Sequence, residues 1–182
     1  INTFNDLQKM DKTIKTYLAL GDSYTIGEGV PLHESFPYQL LQLLRKAAQD
    51  NTDSRRQGLQ PLTGLAGSGF LFNAPEIIAK TGWTTDELDT QIQQTRVLPP
   101  YDLVSLLIGV NNQYRGRSVT EFEKEFTHLL QLAIQFAAGQ PKNVIVLSIP
   151  DWGVTPFAEG RDRVQIAKEI DAYNAVCQKM AA

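Results

Sequence analysis

One cysteine, Cys177, and two histidines, His33 and His128, are all that this chain offers of the residue types that build disulfides, thiolate sites and most metal centres. A lone cysteine excludes an internal disulfide framework and leaves the redox compartment open. Cys177 is expected to pack within a helix, since no histidine follows nearby to make it a thiolate nucleophile. Charge of one sign is also scarce. The formal net charge is -3, with both signs mixed along the chain, so no basic stripe marks a nucleic-acid face. No apolar run approaches the ~18 residues that a membrane-crossing helix needs. No signal peptide is visible. Because the chain begins at Ile1 rather than Met, the N-terminus reads as processed, trimmed or designed, and the missing leader fixes no compartment. A soluble protein is expected, cytoplasmic or exported with its leader removed. Neither Gly-x-Gly-x-x-Gly nor a Walker-type loop occurs, which argues against a nucleotide or flavin protein.

What is present is an ordinary globular composition, 42% apolar and 20% charged, in 182 residues that fit one domain. A domain of this size hides roughly 70% of the surface its unfolded chain exposes, enough for a real core. Short apolar runs alternate with amphipathic stretches, the rhythm of a parallel sheet covered by helices. Strands are expected at residues 16–20 (TYLAL), 76–80 (EIIAK), 103–108 (LVSLLI) and 143–149 (NVIVLSI). Helices are expected at 38–48, 85–96, 120–138 capped by Thr120, and 162–180 with Val164, Ala167, Ile170, Tyr173 or Asn174, and Cys177 at core spacing. Segment 50–73 is long for such a connection and holds Gly58, Gly64, Gly67 and Gly69. It reads as a mobile surface insertion or a lid over the site.

Three polar blocks follow three of the strands: residues 21–29 (GDSYTIGEG), 81–85 (TGWTT) and 109–112 (GVNN). In open parallel sheets ligands bind beyond the carboxyl ends of the strands, so the blocks are expected to meet at one crevice. Acyl transfer needs a nucleophile, a base to activate it, and donors for the developing oxyanion. Ser23 offers a hydroxyl and, at the start of a turn, its own N–H. Gly82 has no side chain, so its N–H can approach a ligand closely. Asn111 adds a side-chain amide.

These three blocks, in this order and at these strand ends, resemble the SGNH/GDSL hydrolases. The resemblance spans residues 16–182, interrupted by 50–73. It implies a three-layer α/β/α sandwich with a flavodoxin-like parallel sheet of five strands, Ser23 as nucleophile, and Ser23, Gly82 and Asn111 as the oxyanion hole. It also implies hydrolysis of carboxylic esters, of lysophospholipase, thioesterase or acetylesterase type, on a small-molecule substrate and without metal or organic cofactor. One departure stands out. The family's third block usually reads Gly-x-Asn-Asp, and here Asn112 replaces the Asp, which puts local loop geometry in question.

The resemblance further implies an Asp-x-x-His block after the fifth strand. No Asp-x-x-His occurs in the 182 residues, so the triad Asp and His are expected past Ala182, and the chain as it stands is expected to be nearly inactive. The fifth strand is expected to be missing too, leaving the edge at 143–149 to pair with another chain or to flank an apolar groove. Oligomeric state stays open. His33 reads as a loop residue and His128 as a solvated helix residue, not as the base. Asp22 braces the first block or acts as an extra acid. Tyr24 and Thr25 line the crevice or pack the loop. Trp83 forms an acyl wall or packs inside. Asp151 and Trp152, after the fourth strand, line the pocket or make a turn, and the 155–160 loop could cover the site. Glu28 and Glu34 read as solvated charges. The alternative to an ester hydrolase is an inactive ligand-binding module that kept the crevice and lost the base.

Overall fold

The computed structural model describes residues 14–56 and 71–182. Four parallel strands form the main sheet: β2 (Tyr17–Gly21), β4 (Glu76–Ala79), β5 (Leu103–Leu107) and β6 (Val144–Val146), in the spatial order β4-β2-β5-β6. Central β2 is buried at every position, and β5 at all but its first residue. Continuous apolar runs of this kind belong to strands covered on both faces. The register aligns Ala19 with Ile77 on one side and with Ser105 on the other, and Leu106 with Val146.

Side chains alternate across the sheet. Leu18 and Leu20 join Leu88, Leu106, Phe122 and Ile170 in the larger core. Covering that face are α3 (Thr85–Gln94), α5 (Val119–Phe136) and α6 (Arg163–Ala181). Tyr17 and Ala19 point the other way, to Leu41 on α2 (Phe36–Arg56) and to Phe72. The result is the three-layer α/β/α arrangement expected from the sequence. The chain winds outward from β2 to β4, then crosses back to β5 and β6, so its direction reverses at the β2–β5 boundary. The crevice beyond the carboxyl ends of these two strands is the topological switch point at which such sheets bind ligands.

Several details differ from the sequence reading. Helix α2 starts at Phe36, because Pro37 lies in the first turn where its missing N–H costs nothing, and it continues to Arg56. Ser118, not Thr120, caps α5, its hydroxyl accepting from Glu121 N–H at 3.1 Å. In α6 the buried stripe is Ile166, Ile170, Tyr173, Val176 and Cys177, while Val164 is 80% exposed and outside the core. Two-residue strands β1 (Ile14–Lys15) and β3 (Leu71–Phe72) form a separate parallel pair. Of the glycine-rich segment, residues 57–70 lie outside the described residues, and its flanks belong to α2 and β3.

Among the described residues no fifth strand joins the main sheet, and β6 pairs only with β5. Ile145 on that edge is 41% exposed. A groove of about 720 Å³ lies between the end of β6 and α6. Its lining is mainly apolar, with Val146, Ala175, Cys177 and Ala181, and carries polar groups at Ser148, Asp171, Asn174 and Gln178. No helix among the described residues is long and apolar enough to cross a membrane.

Candidate active site

The first block turns sharply out of β2. A Cβ on Gly21 would lie 2.0 Å from Thr25 Oγ1 and 2.4 Å from Leu107 O, so only glycine lets the turn close against β5. Helix α1 (Ser23–Ile26) begins at once. Asp22 caps it, Oδ1 accepting from Tyr24 N–H at 3.0 Å while its carbonyl takes the Thr25 and Ile26 N–H groups. Ser23 is the first helical residue, and its N–H and hydroxyl have no partner among the described residues. An orphan N–H at a helix start is a ready donor for an incoming oxygen.

Asp22 itself is 1% exposed, beneath the cleft floor. Among the described residues its Oδ2 has no partner, nor has the neighbouring Thr25 Oγ1. Burial pushes the Asp22 carboxyl up to about 7, against the opposing pull of the Tyr24 N–H. Burial first, then the nearby Asp22 and Asp151 carboxylates, also raises the Tyr24 phenol above its ordinary value.

The second block is a tight turn, Trp83 N–H donating to Lys80 O at 3.2 Å. Gly82 holds its third position with φ +83°, the sign that a type II turn requires there and that glycine adopts freely. Beyond Gly82 every residue of the block has a backbone group tied by a side chain. Arg115 Nη2 donates to Gly82 O at 2.6 Å, and Asn111 Nδ2 to Trp83 O at 2.9 Å. Thr84 N–H donates to Glu87 Oε2 at 2.9 Å, and Thr85 N–H to Asn112 Oδ1 at 3.1 Å. The Gly82 N–H, in contrast, has no acceptor among the described residues.

Three of these four latches come from one short element, α4 (Val110–Tyr114), and the residue that ends it. Gly109 starts α4 at φ +128°, and a Cβ there would lie 2.7 Å from the Phe122 ring. Asn111 spends one amide hydrogen on Trp83 O; the other has no acceptor among the described residues. Fully buried Asn112 explains its own identity. Its oxygen takes the Thr85 N–H while its NH₂ donates to Thr85 Oγ1 at 2.6 Å. The Thr85 hydroxyl proton goes to Glu125. A carboxylate at 112 would meet lone pairs on that hydroxyl and a second carboxylate behind it, so the amide is the group that fits.

Ser23 and Asn111 line one cleft of about 380 Å³. Its polar side is Ser23, Glu28, Thr81 and Asn111, with the Thr81 hydroxyl donating to Glu28. Its apolar side is Tyr24, Val110, Tyr114, Trp152 and Phe157. Three of these rings form a cluster. Tyr114 and Phe157 lie 5.5 and 5.7 Å from Trp152 between centroids, both edge-on. Arg161 sits 5.0 Å from the Tyr114 centroid and donates to its hydroxyl at 3.0 Å. The Trp152 indole N–H donates to Gln113 at 2.8 Å, which fixes the wall.

Of the residues singled out in the sequence, the structure thus brings Ser23, Tyr24, Asn111 and Trp152 to one cleft wall. Gly82 lies next to the lining residue Thr81 and is not itself in the lining. The half-buried Trp83 packs against the main core. Asp151 turns back to accept from Gly153 N–H at 2.7 Å. Thr25 is fully buried, on the inner face of α1. His33 pairs loosely with Glu34 at 3.7 Å, and His128 with Asp89 at 3.2 Å; neither lines the cleft. Phe157 belongs to the 155–160 loop expected near the site, whereas sequence reasoning missed Tyr114 and the Arg115 latch.

Comparison with known proteins matches residues 19–182 to the family described as "GDSL-like Lipase/Acylhydrolase family". No curated protein matches the sequence. Among solved structures the chain is similar to TesA, with TM-score 0.56, 17% identity, and coverage of 92% of this chain and 73% of that one. It is similar to a mutant of the esterase AlinE4 (TM-score 0.52, 20% identity, 94% and 74% coverage). It is also similar to an acetyl xylan esterase, AlAXEase (TM-score 0.54, 16% identity, 91% and 73% coverage). At these identities the likeness is one of fold.

Proposed function

The chain belongs to the GDSL-like lipase/acylhydrolase family, an esterase-type hydrolase family, and we propose that it cleaves carboxylic esters through an acyl-enzyme on Ser23. The observation that supports this reading is a set of unspent donors: Ser23 and Asn111 line one cleft, and Gly82 adjoins its lining residue Thr81. The N–H groups of Ser23 and Gly82 have no acceptors among the described residues, and Asn111 holds one amide hydrogen in reserve.

In the proposed reaction Ser23 Oγ bonds to the ester carbonyl carbon while its proton passes to a base. The carbonyl oxygen becomes an oxyanion held by the three donors. The intermediate collapses, the carbon–oxygen bond to the alcohol breaks, and the base returns the proton to the departing alkoxide. Water then repeats the sequence and releases the acid. Preorganised donors are the largest single contribution in such sites, with one donor worth on the order of 3 kcal/mol in the transition state.

The base is assigned to an Asp-x-x-His outside these 182 residues. Glu28 is the only carboxylate in the cleft lining among the described residues, and it already accepts from Thr81. The absence of a histidine from that lining favours a second reading, an inactive module that binds an ester or acid in the same cleft. Hydrolysis of p-nitrophenyl acetate by the full-length protein, with Ser23→Ala as control, tests the first reading. Loss of turnover by three or more orders of magnitude is expected on the pattern of other serine hydrolases; equal rates would falsify the nucleophile assignment. Labelling the full-length protein with a fluorophosphonate separates the two: strong labelling at Ser23 is expected of the hydrolase, and none of the binding module.

A further inference from the structure

The donor assigned to Gly82 sits on the residue type with the greatest backbone freedom, and glycine at φ +83° has the opposite sign of φ open to it at little cost. An oxyanion donor helps only if its direction is fixed before the charge develops. Something must therefore remove the freedom of this peptide. Packing does not: among the described residues beyond its chain neighbours, the nearest atom to a Cβ built on Gly82 is Arg115 Nη2 at 3.9 Å, and no other lies within 4 Å.

We infer that Arg115 is a positioning residue for the oxyanion hole, holding the Gly82 carbonyl so that the Gly82 N–H stays aimed for the reaction. Nη2 meets Gly82 O at 2.6 Å, a short charge-assisted bond. Nη1 meets Glu87 Oε1 at 3.3 Å. The other oxygen of Glu87 accepts the Thr84 N–H at 2.9 Å. One guanidinium thus braces both ends of the 82–84 segment, directly at Gly82 and through Glu87 at Thr84. Arg115 also ends the helix whose Asn111 holds the carbonyl of Trp83. The proposed Gly82 and Asn111 donors are joined in this way into one frame. A lysine ammonium, a point charge, cannot span the two acceptors with the planar fork of an arginine. The side chain is 44% exposed and outside the core clusters, so its removal leaves the packing of the fold intact.

This inference rests on the proposed oxyanion role of Gly82. Arg115→Met, which keeps the apolar stem, and Arg115→Lys are compared with the full-length parent for hydrolysis of a p-nitrophenyl ester, with Ser23→Ala alongside. Displacement of a reacting group by a fraction of an ångström costs about tenfold and a full ångström about a hundredfold. Arg115→Met is therefore expected to lower kcat by about tenfold to a hundredfold with KM within about threefold, and Arg115→Lys to recover part of that loss. Unchanged kcat in Arg115→Met, or a loss confined to KM, overturns the proposal. So does a kcat loss that merely follows a fall in Tm. If Ser23→Ala keeps full activity, the nucleophile assignment fails instead, and Arg115 is decided without turnover by the Gly82 amide resonance of ¹⁵N-labelled protein. A shift or exchange broadening of that resonance in Arg115→Met is expected; an unchanged peak refutes the bracing.

Discussion

Replacing Asp22 with asparagine removes a buried charge without removing the helix cap. Oδ1 of the asparagine still accepts the Tyr24 N–H, and an NH₂ group takes the place of the unpartnered Oδ2. In the native protein burial raises this carboxyl from 3.8 to about 7. Between those values the folded chain holds a proton that the unfolded chain has released. The wild type therefore loses stability as pH rises through this window, at about 1.4 kcal/mol per unit, and the loss is complete above the folded value. A shift from 3.8 to about 7 sets a ceiling of about 4 kcal/mol. Local relaxation around a buried carboxylate brings the expected gain for Asp22→Asn to roughly 2–4 kcal/mol at pH 8, shrinking to a few tenths at pH 4. Urea denaturation followed by circular dichroism at both pH values measures the difference. A variant no more stable than wild type at pH 8, or equally stabilised at pH 4 and pH 8, would refute the electrostatic account.

Two further substitutions test the scaffold around the cleft. Asn112→Asp places a second carboxylate on the Thr85 hydroxyl already given to Glu125, and is expected to cost about 1–3 kcal/mol at pH 8 and less at pH 4. Adding Glu125→Gln should restore most of that loss, and a double-mutant cycle showing no coupling between the two sites would contradict the arrangement. Gly109→Ala combines a φ of +128° with a Cβ 2.7 Å from the buried Phe122 ring, so a loss of about 3 kcal/mol or more in urea is expected; a loss under about 1 kcal/mol would show that the α4 start can yield.

The sheet was legible because YLALG and LVSLL are nearly continuous apolar runs, broken only by Ser105, as doubly covered strands require. Helix edges were less so. Pro37 looks like a boundary in sequence, yet a first-turn proline continues the helix as readily as it begins one. Strands β1 and β3 are too short for a period to show. Within the cleft, Ser23 and Asn111 were readable from their place after strands. Of the aromatic wall, Trp152 and the loop bearing Phe157 were readable as following the fourth strand, but Tyr114 was not, since it ends a one-turn helix where nothing repeats. Arg115 was invisible for a different reason. Its partners are a backbone carbonyl 33 residues away and a carboxylate 28 residues away, and such pairings leave no trace in local pattern.

Helix α4 carries Asn111 and Tyr114 within a single turn and a half, with Arg115 directly behind them. On the proposed reading, a substrate group leaning on the tyrosine ring presses on the same rod that bears on two of the assigned hydrogen-bond donors, so fit on one side of the cleft is felt as rate on the other. Changing selectivity at Tyr114 then carries a kinetic penalty or bonus with it, and Phe157, whose ring lies 6.0 Å from that of Tyr114, reaches the same rod through the tyrosine.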